Sequence, residues 1–207
     1  MIDFIIFGCI AYLLGSIPTA VWIGKAKYGV DVREHGSKNA GATNTFRVLG
    51  KKPGIVVLSI DVLKGFVAVM LPFVAGVGDW NSEELIQVKL VCALLAVIGH
   101  VFPVFAQFNG GKGVATSLGV IIGVHPAAAG ICVALFLIVF IVSHFVSLGA
   151  IIAASSFPLT IAFLFKTNSV WLIAFSITLS LAVIYAHRNN IRRLLQGEEN
   201  RMNLFKK

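Results

Sequence analysis

The residues of this chain that are suited to chemistry fall in three polar segments, each set against an apolar run. The first reads Gly36-Ser37-Lys38-Asn39-Ala40-Gly41-Ala42-Thr43-Asn44, with Arg47 just beyond it. Its hydroxyls and amides can donate hydrogen bonds, its glycines permit tight turns, and its cations add charge. Such a mixture can hold an anion, a phosphate above all; the alternative is a polar connector capped by Asn and Ser. The second runs from Gly99-His100 through Phe105 to Asn109-Gly110-Gly111-Lys112-Gly113. Gly110, Gly111 and Gly113 let backbone N–H groups approach a ligand and lead into a short helix, whose N-terminus favours an anion. Lys112 places a full charge among them. The spacing of a Walker A loop is absent, and a flexible turn with a topology-setting lysine is the other reading. The third segment reads Tyr185-Ala186-His187-Arg188-Asn189-Asn190-Ile191-Arg192-Arg193. On a continuing helix, His187 and Asn190 share one face, and Arg188 and Arg192 form a second row. A basic cap at a membrane boundary explains the same residues.

The elements that position these segments follow from composition. The chain has 207 residues, 57% hydrophobic and 13% charged, too apolar for a soluble domain of this size. Apolar runs of roughly 18 residues or more read as membrane spans. Barrel strands alternate polar and apolar residues, whereas 131–142 is apolar throughout. The fold class is therefore all-α, a polytopic membrane helical bundle of one domain spanning 1–207. Predicted spans are 4–24, 54–76, 88–108, 114–124, 126–142, 148–165 and 170–186. The first lacks the basic flank and cleavage site of a signal peptide and reads as a retained helix.

Charge distribution orients the bundle. The net charge is +8. Bases concentrate in 25–52 and in the tail from Arg188 onward, whereas 77–87 carries Asp79, Glu83 and Glu84 and no base. Basic segments stay cytoplasmic, so the first loop and the tail are expected inside. An even number of crossings must then separate Lys112 from the tail. Counting the short 114–124 run as a crossing satisfies that requirement; treating it as re-entrant does not. The expectation is seven transmembrane helices, one of them short, with the N-terminus outside and the C-terminus cytoplasmic. All three polar segments then share the cytoplasmic face, with the turn at 143–147. Topology explains the basic balance, and no nucleic-acid module is visible.

Other polar residues lie within the spans. Asp61 and Lys64 are three apart and can pair on one helix face, in either a functional or a structural role. His100, close to Pro103, either lines a cavity or bonds a backbone carbonyl. His125 falls on the outer side. Cys9, Cys92 and Cys132 sit in apolar runs without the spacing of a zinc site or a disulfide framework. The aspartates are too scattered for a divalent-metal cluster, so neither a metal site nor a cofactor is expected.

Together these segments resemble the PlsY family of bacterial glycerol-3-phosphate acyltransferases. Gly36, Ser37, Asn39, Gly41, Thr43 and Asn44 meet its first motif, preceded by Gly15-Ser16-Ile17-Pro18-Thr19. Gly99-His100 through Phe105, with Gly110-Gly111-Lys112-Gly113-Val114-Ala115-Thr116, meets its second. His187, Arg188, Asn190 and Ile191 meet its third, and Phe145-Val146-Ser147-Leu148-Gly149 fits a family turn. The chain departs from the pattern at Asn189, where Glu is common, at Asn109, where Lys is common, and at His144, where a basic residue is common.

The resemblance implies transfer of a fatty acyl group from acyl-phosphate to the 1-hydroxyl of glycerol 3-phosphate. The products are lysophosphatidic acid and phosphate, in the first acylation of phospholipid synthesis. It implies a multi-pass protein of the bacterial cytoplasmic membrane, coupled to a soluble acyl-phosphate-forming enzyme of the PlsX type. Ser37, His187 and Asn190 are the expected catalytic residues, orienting the hydroxyl and stabilising the oxyanion. Lys112 and Arg47 are the expected phosphate clamp, with Asn39, Thr43, Asn44, Gly110, Gly111, Gly113, Arg188 and Ser147 as further substrate contacts. An activated donor needs no protein nucleophile, so direct attack is expected rather than an acyl-enzyme. The rival functions are a small-anion transporter, which Asp61 and Lys64 would suit, and a CDP-alcohol phosphotransferase, which the scattered aspartates do not.

Overall fold

Backbone groups in hydrocarbon have no water to bond, so a spanning segment must satisfy them internally. The computed structural model describes residues 1–80 and 82–202, and among these every regular element is helical. Lys206 and Lys207 of the basic tail lie outside the described residues. The chain divides into two compact units, Met1–Val124 and His125–Lys207. The first holds α1 (Ile2–Gly15), α2 (Thr19–Tyr28), α3 (Ala42–Leu49), α4 (Lys51–Val74), α5 (Glu83–Val101) and α6 (Val114–Val124). The second holds α7 (Pro126–Ser143), α8 (Val146–Leu159) running into a π turn (Thr160–Leu164), α9 (Val170–Ala186) and α10 (Arg188–Gln196).

Five segments are long and apolar enough to cross a membrane: Ile2–Tyr28, Lys51–Val74, Glu83–Ala106, Pro126–Ser143 and Val146–Leu164. The pair α9 and α10 makes a sixth if counted as one bent span. Helix α6 has 11 residues, about 16 Å of rise against roughly 30 Å of hydrocarbon.

The first predicted span is not one helix. It breaks at residues 16–18, because Pro18 has no N–H and its ring disturbs the preceding turn. Past the break, Val21 N and Trp22 N both donate to the Pro18 carbonyl. The Ile17 carbonyl, deprived of its helical donor, accepts from Thr19 N at 3.0 Å and from Lys64 Nζ at 2.8 Å. Lys64 is held 2.9 Å from Asp61 Oδ1, which also accepts from Thr19 Oγ1 at 3.0 Å. Asp61 and Lys64 are only 1% and 5% exposed. The intramembrane pair is thus joined to the helix break, and it fastens α4 to the α1–α2 corner.

Small residues bring the helices of the first unit close, as is usual where no hydrophobic force separates helix from lipid. Gly15 of α1 lies against the Ala96 backbone of α5, and Gly99 of α5 against the Tyr12 carbonyl. Gly119 of α6 meets the Val62 carbonyl of α4 in the same way. In the second unit, His125 caps α7 by accepting from Ala128 N at 3.2 Å, and Ser169 caps α9 by accepting from Leu172 N at 3.3 Å. Helix α9 ends at Ala186, the predicted end of the last span, and there the chain bends by 57° into α10. His187 sits at that corner and opens α10, its carbonyl accepting from Ile191 N at 2.8 Å.

Lys64→Ala strands a carboxylate and a carbonyl in a buried site. It is expected to lower stability by about 3–5 kcal/mol, measured by unfolding in detergent. Combining it with Asp61→Ala should cost less than the sum of the two single changes.

Candidate functional site

In the first unit, the loop between α2 and α3 is built on two anchors. The first is Asp31, whose carboxylate accepts from the Arg33 backbone N at 3.0 Å and from Arg33 Nε and Nη2 at 3.0 and 2.7 Å. Lys25 Nζ lies 3.1 Å away on the same carboxylate. The Arg33 guanidinium holds the Asp31 carboxyl well below the usual carboxylate range, against the opposing effect of burial. Through Nη1, Arg33 also donates to the Ala106 carbonyl at 3.0 Å, tying this loop to the turn that follows α5.

The second anchor is Asn44, which is buried. Its Oδ1 accepts from Ser37 N at 2.8 Å, and its Nδ2 donates to the Val32 and His35 carbonyls at 2.7 and 3.1 Å. The amide is engaged with the loop backbone on both ends, which makes Asn44 the residue that fixes where Ser37 lies. Gly36 has φ +59°, and a Cβ there would press on Asn44 Oδ1, so glycine is required for the turn. Gly41 caps α3, its carbonyl accepting from Asn44 N and Thr45 N at 3.1 Å each. On this frame Ser37, Lys38 and Arg47 are exposed, and Asn39 and Thr43 are half-buried.

The glycine turn before α6 is shaped by His100. Gly111 N donates to the His100 carbonyl at 3.1 Å. A Cβ on Gly110 would meet that same carbonyl, and one on Gly111 would run into His100 Nε2. The ring of His100 is therefore a floor beneath the turn. Its Nδ1 lies 3.8 Å from Asp61 Oδ1, so the pair at the helix break also stands behind the glycines. Gly113, at φ +79°, leads into α6, and its carbonyl accepts from Ser117 N at 2.7 Å. Lys112 is half-buried in this turn.

In the second unit, His187 Nδ1 is 2.8 Å from the Val183 carbonyl. A carbonyl only accepts, so Nδ1 carries the proton, and in the neutral ring Nε2 is the acceptor nitrogen. Arg188 folds back over the Tyr185 ring at 4.6 Å and donates to the Tyr185 carbonyl at 3.2 Å. Ser147, in the first turn of α8, and Asn190, in α10, meet at one carboxylate. Ser147 Oγ donates to Glu199 Oε1 at 2.8 Å, and Asn190 Nδ2 donates to the same oxygen at 2.7 Å. Arg193 Nε donates to Oε2 at 2.8 Å.

Glu199 reaches this position because Gly197, at φ +73°, ends α10 and turns the chain back, with Glu198 N donating to the Arg193 carbonyl at 2.8 Å. Burial raises the Glu199 carboxyl, but the hydrogen bonds from Arg193, Asn190 and Ser147 outweigh it and leave the group below the ordinary glutamate value. Sequence reasoning missed Glu199, having read the tail only for its bases. The available signal was a Gly-Glu-Glu step directly after the Asn190 helix. Among the described residues no three His, Cys, Asp or Glu side chains gather as a metal site would require.

Comparison with known proteins bears on the same segments. The family model for glycerol-3-phosphate acyltransferase matches residues 5–197. A glycerol-3-phosphate acyltransferase of Fusobacterium nucleatum is 44% identical over 198 residues, covering 96% of this chain and 97% of the relative. One from Chlorobaculum tepidum is 40% identical over 232 residues, with 100% of both chains covered. The crystal structure of PlsY, an integral membrane glycerol 3-phosphate acyltransferase, in its glycerol 3-phosphate form superposes with a TM-score of 0.88 at 39% identity, over 98% of this chain and 99% of that one. Its lysophosphatidic acid form gives 0.83 at 38% identity, over 97% and 95%.

The lowered Asp31 carboxyl has a consequence for stability. A depressed carboxylate stabilises the fold at pH above its unfolded value, about 3.9, and loses that contribution as pH falls toward the folded value. Asp31→Asn should therefore lower the unfolding midpoint at neutral pH. The gap to the unsubstituted protein should narrow below the ordinary carboxylate range, as followed by thermal unfolding across pH; a gap that is constant with pH would count against the ion pair.

Proposed function

We propose, because this chain belongs to the PlsY family of glycerol-3-phosphate acyltransferases, that it moves a fatty acyl group from acyl-phosphate to the 1-hydroxyl of glycerol 3-phosphate. It is an integral membrane acyltransferase. The observation that carries the finer reading is the presence of all three polar segments, in order, within the residues the family matches. The donor is the one the family resemblance implies: an acyl-phosphate is already activated, so the loop residues need only position and polarise.

In this reading, Lys112 and Arg47 clamp phosphate, helped by Asn39, Thr43, Arg188 and the backbone N–H groups of Gly110 and Gly113, while Gly111, whose N–H is bonded to the His100 carbonyl, shapes the turn. Asn44 contributes by holding Ser37. The hydroxyl oxygen of glycerol 3-phosphate attacks the acyl carbon, the acyl–oxygen bond to phosphate breaks, and phosphate leaves with the bonding pair. The hydroxyl proton passes to a substrate phosphate. His187, Ser37 and Asn190 orient the attacking hydroxyl and stabilise the oxyanion. Such preorganised polar groups act strongest where charge develops in the transition state. Seven membrane crossings, with the N-terminus outside and the polar segments facing the cytoplasm of a bacterium, complete the proposal. A soluble acyl-phosphate-forming enzyme of the PlsX type supplies the donor. The transporter reading loses support, since Asp61 and Lys64 are engaged with the helix break.

The purified protein, given glycerol 3-phosphate and palmitoyl-phosphate, should release phosphate and form lysophosphatidate. Product formed from palmitoyl-CoA alone would overturn the donor assignment. Lys112→Ala should lower kcat/KM by roughly 10- to 100-fold, the weight of a charge-assisted hydrogen bond; unchanged kinetics would remove Lys112 from the clamp.

A further inference from the structure

We propose that Glu199 is a positioning residue for acyl transfer, fixing the orientation of Asn190 and the hydrogen-bond polarity of Ser147. The inference rests on the reading above, in which Asn190 orients the attacking hydroxyl, and on Ser147 as one of the expected substrate contacts.

Three observations carry it. Glu199 is buried, 8% exposed, although it lies beyond the end of α10, where a carboxylate would otherwise be solvated. Its two oxygens hold different partners. Oε2 takes Arg193 Nε, while Oε1 takes both Ser147 Oγ and Asn190 Nδ2. Those two donors come from different helices, α8 and α10, so the carboxylate is the joint between them. The tail is held down beside it, since Met202 N donates to the His144 carbonyl at 2.9 Å.

The chemistry follows from what each group can do. An ionised carboxylate only accepts. It selects the Asn190 amide rotamer that turns Nδ2 toward Oε1, so the carbonyl end points away from Glu199. The single hydroxyl proton of Ser147 is directed at Oε1, so Ser147 meets any further partner as an acceptor. An acceptor serves a substrate hydroxyl and not a phosphate oxygen, which places Ser147 with the glycerol moiety. Arg193 keeps the carboxylate from rotating, and as the cation of the pair it offsets a buried negative charge that would repel anionic substrates.

The test compares Glu199→Gln, Glu199→Asp and Arg193→Lys with Asn190→Ala and Ser147→Ala, measuring kcat and the KM for each substrate alongside thermal unfolding in detergent. Glu199→Gln keeps size but lets an amide face the donors. It should lower kcat with glycerol 3-phosphate by about 10- to 100-fold and leave the KM for acyl-phosphate near its starting value. Glu199→Asp should recover much of that loss. Added to Ser147→Ala, Glu199→Gln should cost less than it does alone. If Glu199→Gln does not fold, Arg193→Lys, which retains the carboxylate and loosens it, should show a smaller fall in kcat of the same kind. Full activity in Glu199→Gln while Asn190→Ala is impaired would overturn the inference and leave the underlying reading intact. Full activity in both Asn190→Ala and Ser147→Ala would overturn the underlying reading, and this inference with it. A gain in activity in Glu199→Gln would also contradict it, because the carboxylate would then be occupying the place of a substrate anion.

Discussion

A proline inside an apolar helix leaves backbone groups without partners that lipid cannot supply, and the first unit is organised around how they are satisfied. Pro18 redirects the donors of the next turn to its own carbonyl and leaves Ile17 needing another partner. Lys64 reaches across from α4 to supply it, and a lysine in that setting needs Asp61 beside it. Asp61 in turn faces Thr19 on the far side of the break and His100 on α5. The close crossings at Gly15, Gly99 and Gly119 bring the helices near enough for these side chains to meet. Because His100 is the floor of the Gly110–Gly111 turn, the geometry of a candidate phosphate-binding loop traces back to a backbone defect in the first helix pair.

Two acids of the polar segments, Asp31 and Glu199, serve a common purpose. Asp31 gathers Lys25 and Arg33, and Glu199 gathers Arg193, Asn190 and Ser147. Each carboxylate is committed to cations or donors that shape a polar segment. In the proposed reaction, whose substrates are both anionic, acids so engaged add structure without presenting an unpaired negative charge to substrate. This is consistent with a reaction in which the donor supplies the activation and the protein supplies placement.

Much of the helical plan was legible from composition and hydropathy. The runs predicted at 114–124 and 170–186 coincide with α6 and α9, and the start at Pro126 coincides with that of α7. The break at Pro18 was not read, because the apolar run continues unbroken across it and hydropathy does not register a missing N–H. The corner at His187 was missed for a related reason: the charged residues that follow still favour a helix, and nothing in their spacing signals a 57° bend. At the candidate site, the motifs identified Ser37, Asn44, Ser147 and Asn190 as residues of interest. Residue type alone did not separate an amide that holds a loop, as Asn44 does, from one held in place by a carboxylate, as Asn190 is. That distinction depends on partners distant in sequence, such as Glu199 on Ser147, which a local motif cannot contain.

Direct transfer without a covalent intermediate is the claim from which the roles of these residues follow, and it is tested most directly by single-turnover quench. Purified protein is mixed with palmitoyl-phosphate in the absence of glycerol 3-phosphate, quenched over a time course, and analysed for intact mass and free phosphate. The account predicts an unmodified chain and no phosphate burst until glycerol 3-phosphate is added. A palmitoyl adduct on Ser37, formed with a matching phosphate burst before the acceptor is present, would contradict it.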